Sequence, residues 1–167
     1  MGTVYMESLR CPFETLESLL KTPDLPKVCI VDFHAEATGE KRAMGFFADG
    51  KVTGLFGTHT HVQTADECLL PHGTGYITDV GMTGVIDSVL GVKPEIIIGK
   101  LRTKMPARFD WAKGPSKMDC VLFSADRCGA DLPDVTPAGP PLWHGAESPG
   151  PSFYKAFAEI PLQRLYF

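Results

Sequence analysis

The run Val28-Cys29-Ile30-Val31-Asp32-Phe33 decides the fold class of this chain. It is almost continuously apolar and has the length of one strand, which is typical of a strand covered on both faces. A second short apolar run lies at residues 52–56 and ends at Gly57, and a third strand is predicted over residues 75–80. Such runs are expected in the interior of a sheet.

Helical patterns separate these strands. Pro12 opens the first one, Thr38 can cap the second, and residues 95–104 predict a third. We also expect a strand at residues 1–6, and two strands at residues 107–112 and 118–124 joined by a turn. Strands that alternate with helices place the chain in the α/β class.

The composition bounds the function. The 167 residues suit one soluble domain, and the net charge of -4 argues against a basic surface for nucleic acid. No apolar run reaches the ~18 residues that span a membrane, and the first 20 residues do not resemble a secretory signal. The odd number of cysteines and the absence of a C-x-x-C pair predict reduced thiols in a cytoplasmic protein.

Prolines mark a change along the chain. Seven of the fourteen prolines lie between Pro133 and Pro161. Because proline lacks a backbone donor, residues 131–152 cannot pair as a regular sheet. The prediction is therefore a domain over residues 1–130, followed by a largely irregular tail over residues 131–167.

The strongest chemical signal is Gly57-Thr58-His59-Thr60-His61, which directly follows an apolar run. Residues two apart in an extended backbone point to the same side, so His59 and His61 can face one metal centre or two adjacent ones. His34 stands at the end of another predicted strand. Imidazole nitrogen binds zinc, iron and similar ions, and the carboxyl ends of neighbouring strands are where α/β sheets build sites.

Alternatives remain open at this level. A single histidine at a strand end is most often structural, and His72 and His144 are expected to play no part. A mononuclear three-histidine zinc site is a further, weaker hypothesis. Nearby polar residues could orient the imidazoles or contact a substrate, and Asp79 could be a ligand or, preferably, a loop anchor. These candidates are Thr58, Thr60, Gln63 and Asp79.

Several stretches resemble the YmdB-type phosphodiesterases, a bacterial branch of the calcineurin-like metallophosphoesterases. Residues 31–41 read VDFHAEATGEK and are similar to the family's third metal-binding block. Residues 57–67 read GTHTHVQTADE and resemble its last block, Gly-x-His-x-His. Residues 76–84 and 106–109 also match, and the resemblance covers about residues 1–125.

The resemblance implies half of a calcineurin-like α-β-β-α sandwich and a two-metal centre that hydrolyses cyclic-nucleotide phosphodiesters. His34 and His59 would bind one metal and His61 the other. The ions would be iron or manganese, with zinc as an alternative. Two such ions clamp a phosphate and activate a bridging hydroxide.

The family's remaining metal ligands and its general acid belong to blocks that this sequence does not contain. We therefore expect no catalytic residue within the chain and weak or no activity from the chain alone. A complementary N-terminal half, or a second copy in a homo-oligomer, is the expected partner. The alternative is a non-catalytic binding or assembly module that keeps a partial histidine site.

Overall fold

The computed structural model describes residues 1–7 and 9–125, and within them the chain is α/β, as predicted. The predicted tail at residues 131–167 lies outside the described residues. No helix in the described part is both long and apolar enough to cross a bilayer. The described elements are α1 (Pro12–Leu20), β1 (Ile30–His34), α2 (Thr38–Ala48), β2 (Gly54–Thr58), β3 (Cys68–Leu69), β4 (Gly75–Ile77), β5 (Thr83–Val85), α3 (Pro94–Thr103) and β6 (Ser116–Met118).

The main sheet has the strand order β1-β2-β4-β3. Strands β1, β2 and β4 run parallel, and β3 is antiparallel to β4. The register pairs His34 with Thr58, so the carboxyl ends of β1 and β2 lie side by side. The predicted meeting of the two strand ends is thus confirmed.

One face of this sheet carries the hydrophobic core, because α1 and α2 contribute their apolar sides to it. The Phe13 and Phe47 rings of these helices meet edge to face, with centroids 5.4 Å apart. The buried core consists of Leu16, Phe33, Ala35, Met44, Ala48, Val52, Leu55, Leu70 and Tyr76.

The opposite face is only partly covered by the described residues. The Phe123 ring lies against Gly54 and Gly75, where a Cβ atom would come within 2.7 and 2.9 Å of it. In β1, however, Ile30 and Asp32 remain exposed. The prediction that this strand is covered on both faces is therefore wrong for the described residues, because only its core-facing side is packed.

Residues 1–6 do not form the predicted strand. The buried carboxylate of Glu40 accepts hydrogen bonds from the backbone N–H groups of Thr3 at 2.8 Å and Val4 at 3.3 Å. Only Gly2 joins the end of β1, through a bond from its N–H to the His34 carbonyl at 2.8 Å. The side chain of Glu40 thus takes backbone donors that a strand would have used.

The hairpin predicted over residues 107–124 is also wrong. Strand β6 pairs with β5 instead, with Ser116 opposite Val85 and Met118 opposite Thr83. Trp111 forms only an isolated bridge to Val92. The small β5–β6 sheet could not be seen in the pattern, since β5 is only three residues long and contains a glycine.

Gly57 allows β2 to approach the chain just beyond β4. A Cβ atom at this position would lie 1.8 Å from the Thr78 carbonyl oxygen and 2.8 Å from Cδ of Lys41. The Val80 N–H donates to the Gly57 carbonyl at 2.9 Å across the same gap. The first residue of the Gly-x-His-x-His motif is therefore required by close packing.

Gly57→Ala should lower the free energy of unfolding by about 1–3 kcal/mol or more, because the added methyl group overpacks this contact. The matched control is Gly39→Ala in α2, where an added Cβ meets nothing within 4 Å. That change should be neutral or stabilise by up to about 1 kcal/mol. Urea unfolding followed by circular dichroism measures both, and equal stability of the two variants would contradict the packing role of Gly57.

Candidate metal centre

Two of the three predicted histidines meet at the carboxyl ends of β1 and β2. Nε2 of His34 lies 3.0 Å from Nδ1 of His59. The two rings are nearly perpendicular, at 86°, with centroids 4.8 Å apart. Both nitrogens therefore face the same small volume at the edge of the sheet.

A chain of polar contacts sets the tautomer of His34. Thr58 Oγ1 lies 2.8 Å from Asp32 Oδ1 and 3.1 Å from His34 Nδ1. An ionised carboxylate only accepts hydrogen bonds, so the Thr58 hydroxyl donates its proton to Asp32 and accepts one from His34 Nδ1–H. Nε2 of His34 then carries a free lone pair. Burial and the neighbouring His59 also hold the pKa of His34 below its ordinary value, which favours the neutral ring.

His59 is oriented in the same way by a carboxylate. Its Nε2 lies 2.9 Å from Glu36 Oε2, so this nitrogen donates to the carboxylate, and Nδ1 faces Nε2 of His34. The 3.0 Å separation of these nitrogens is a hydrogen-bond distance when one of them carries a proton, and when neither does, it leaves two lone pairs that one cation can accept. Two nitrogens bound at right angles to one ion, with bonds of about 2.1 Å, lie about 3.0 Å apart. The donor set of this pair therefore fits one metal ion.

His61 stands apart from the pair. Within residues 1–7 and 9–125 it forms no hydrogen bond with either of the other two histidines, and no three His, Cys, Asp or Glu side chains are grouped to hold a metal ion. Its ring is exposed and lines a separate cleft beside β5. The chain thus presents a histidine pair and one lone histidine.

The backbone of this loop is strained at both motif histidines. The φ angles of His59 and His61 are +106° and +66°, in the region that residues other than glycine rarely adopt. Each such residue costs on the order of 1–3 kcal/mol and persists only where its surroundings hold it. Hydrogen bonds from Thr60, the residue between the two histidines, hold this loop in place.

A buried ion pair fixes Thr60. Lys41 Nζ donates to Asp79 Oδ2 at 2.6 Å, and the two side chains are 1% and 0% exposed. The same oxygen accepts from Thr60 N–H at 3.1 Å and Oγ1 at 2.7 Å. Burial alone would raise the pKa of Asp79, but the hydrogen bonds from Lys41, Thr60 and Gly81 outweigh it and hold that pKa below its ordinary value. Asp79 is the loop anchor that its sequence context favoured.

The other sequence candidates take distinct places. Thr58 contacts an imidazole, whereas Thr60 donates its hydrogen bonds to the Asp79 anchor. Gln63 donates from Nε2 to the Cys120 carbonyl at 2.8 Å and ties the loop to the segment after β6. His72 is exposed in a turn and bonded to Asp49.

Sequence reasoning missed two residues that support the site, Lys41 and Glu36. Lys41 lies within an amphipathic helix, where a lysine normally faces solvent, so the sequence pattern did not indicate that it is buried. Glu36 belongs to the block that resembles the family, yet nothing in the spacing linked it to His59. Both contacts arise from tertiary packing.

Comparisons with known proteins identify the family of this chain. A family model described as YmdB-like protein matches residues 1–133. The chain belongs to the YmdB-like family. It is 44% identical over 130 residues to the 2',3'-cyclic-nucleotide 2'-phosphodiesterase of Bacillus subtilis strain 168, an alignment that covers 75% of this chain and 48% of that relative.

Two solved structures share the fold of this YmdB-like chain. A hypothetical protein from Thermus thermophilus is 41% identical, with a TM-score of 0.67 over 70% of this chain and 46% of its own. A novel phosphatase from Mycoplasma pneumoniae is 46% identical, with a TM-score of 0.58 over 61% of this chain and 36% of its own. The chain spans less than half the length of the curated relatives it matches.

Removing one partner of the Lys41–Asp79 ion pair should lower the free energy of unfolding more than replacing both partners. Asp79→Asn leaves the buried Lys41 without its counter-charge and should destabilise by about 3–5 kcal/mol. Lys41→Met should cost less, since Asp79 keeps its bonds from Thr60 and Gly81. The double variant should recover about 1–3 kcal/mol relative to the sum of the single changes. Urea unfolding of all four proteins measures this, and additive losses would contradict the coupling.

The same carboxylate should make stability depend on acid pH. Because folding lowers the pKa of Asp79 below its ordinary 3.8, the ionised form contributes stability above that pH. The contribution is lost as the pH falls below about 4 towards the folded pKa. Unfolding midpoints between pH 7 and pH 2.5 should therefore fall more steeply for the wild type than for the double variant Lys41→Met/Asp79→Asn. Parallel curves would show that another group dominates.

Proposed function

We propose that this chain supplies the histidine side of a metal-dependent phosphodiesterase centre that acts on cyclic nucleotides. The observation that carries the proposal is the 3.0 Å approach of His34 Nε2 and His59 Nδ1, with each outer nitrogen already bonded to an oxygen. The name of the Bacillus subtilis relative suggests the substrate class. The proposed fold is correspondingly part of a calcineurin-like α-β-β-α sandwich.

His34 and His59 would hold one ion, and His61 would contribute to a second. The resemblance to the phosphodiesterase family implies iron or manganese, and imidazole also accepts zinc. Bound metal would supply Lewis acidity toward the phosphate and lower the pKa of an attacking water. The Thr58 hydroxyl, which is bonded to Asp32, would keep the His34 proton on Nδ1. Glu36 would keep the His59 proton on Nε2. Each ring would then present its unprotonated nitrogen to the metal ion.

Three histidines alone make an incomplete centre. They add no negative charge, and without a bridging carboxylate two cations about 3.5–4 Å apart repel strongly. A positioned general acid is typically worth about 10²–10⁴ in rate. We infer that the missing ligands and this acid come from a polypeptide equivalent to the part of the relatives that the chain does not match.

Metal binding tests the histidine pair without requiring turnover. Isothermal titration of the full chain with Mn²⁺ should show one site that His59→Ala abolishes. Thr58→Val should weaken it about 10–100-fold, since the imidazole loses its orienting partner. His72→Ala is the matched control, because this histidine is exposed and bonded to Asp49 outside the pair, and it should bind like the wild type.

Hydrolysis tests the complete proposal. The chain alone should hydrolyse 2',3'-cyclic nucleotides little or not at all. Addition of the unmatched N-terminal part of the Bacillus subtilis relative should raise the rate with Mn²⁺, and His59→Ala or EDTA should remove it. Metal binding without any rate after complementation would favour a non-catalytic module, and robust turnover by the chain alone would show that its ligand set is already complete.

A further inference from the structure

His61 opens onto a cleft that the histidine pair does not use. The cleft has a volume of about 410 Å³ and lies between the β5 strand and the segment around residue 111. This volume is within the range of small-molecule sites. Its walls are mostly apolar, and its lining includes Met82, Val85, Leu90 and Trp111 together with His61. One imidazole thus faces a largely apolar space.

Trp111 is the largest side chain in this lining, and its ring is exposed. The residue is 72% exposed, although indole is costly to leave in water. Gly91 lies beside the ring, and a Cβ atom there would come within 3.7 Å of it. Residues 1–7 and 9–125 therefore leave most of the aromatic surface accessible to a ligand.

The backbone that carries Trp111 is nevertheless held on both sides. Lys93 N–H donates to the Asp110 carbonyl at 3.1 Å, and Ala112 N–H donates to the Gly91 carbonyl at 2.9 Å. The Lys93 ammonium also pairs with the Asp110 carboxylate. An exposed aromatic ring on a fixed backbone is preorganised for stacking, since little backbone ordering remains to oppose binding.

We propose that Trp111 is the platform on which the nucleobase of the substrate stacks, with the phosphate directed to His61. This inference rests on the proposed function and adds the residue that recognises the base. Every base has a π face, so stacking on one indole favours nucleotides as a class over base-free phosphodiesters. The apolar walls at Met82, Val85 and Leu90 would shield the edge of the base from water.

Fluorescence of the full chain measures base binding without metal or turnover. The sequence contains two tryptophans, so Trp143→Phe leaves Trp111 as the sole indole reporter. Adenosine 3'-monophosphate should quench its emission saturably, whereas ribose 5-phosphate, which has no base, should not. Absence of saturable quenching at millimolar nucleotide would overturn the proposal.

Calorimetric titration of the same nucleotide compares the variants. Trp111→Ala should weaken binding about 5- to 150-fold, which is the range expected for one lost base–aromatic stack, and Trp111→Phe should retain most of the affinity. Phe109→Ala is the matched control, since this neighbouring aromatic residue is 49% exposed but lies outside the cleft. Its affinity should equal that of the wild type, and equal losses in Trp111→Ala and Phe109→Ala would overturn the assignment.

The complemented enzyme separates this inference from the proposed function. There, Trp111→Ala should raise KM for a 2',3'-cyclic nucleotide rather than lower kcat, because stacking contributes equally to the bound ground state and transition state. A loss of kcat at unchanged KM would contradict a base platform. If complementation yields no hydrolysis, the metal proposal fails while the fluorescence and titration results still decide the role of Trp111. Concentration-dependent self-association that Trp111→Ala abolishes, without nucleotide quenching, would assign the cleft to a second copy instead.

Discussion

The buried Lys41–Asp79 ion pair is the interaction on which the rest of the site depends. Two charges removed from water are costly, and this pair is retained with additional hydrogen bonds from Thr60 and Gly81. It joins helix α2 to the segment after β4 and clamps the residue between the two motif histidines. The strained loop is thereby held so that His59 faces His34 while His61 lines a separate cleft.

Different residues hold the loop backbone and provide the imidazole nitrogens. Buried charge and close packing at Gly57 hold the backbone, whereas the imidazoles at the strand ends stay partly accessible. Thr58, which is itself bonded to Asp32, and Glu36 bind the outer nitrogens, and the inner nitrogens face each other. This division suits the proposed metal centre, because oriented ligands favour metal binding.

The exposed surface of the described residues is consistent with a site that another polypeptide completes. Strand β1 keeps Ile30 and Asp32 exposed, and α3 has no buried residue although it carries several isoleucines. The solved relatives with the same fold are more than twice as long as the matched region, and the second polypeptide that we propose would cover these faces. Binding of that polypeptide would then cover these faces and complete the histidine site at the same time.

The sequence by itself determined the α/β class, the three helices and the candidate histidines, because these follow from local periodicity and from a recognisable motif. Only the tertiary structure decided that Lys41 is buried against Asp79, that Glu36 orients His59, and that Glu40 takes the donors of residues 1–6. It also paired β6 with β5 and left Trp111 exposed beside His61. The physical reason is that hydrogen bonds and ion pairs between distant residues depend on which elements pack together, and a short pattern carries no signal of its distant partner.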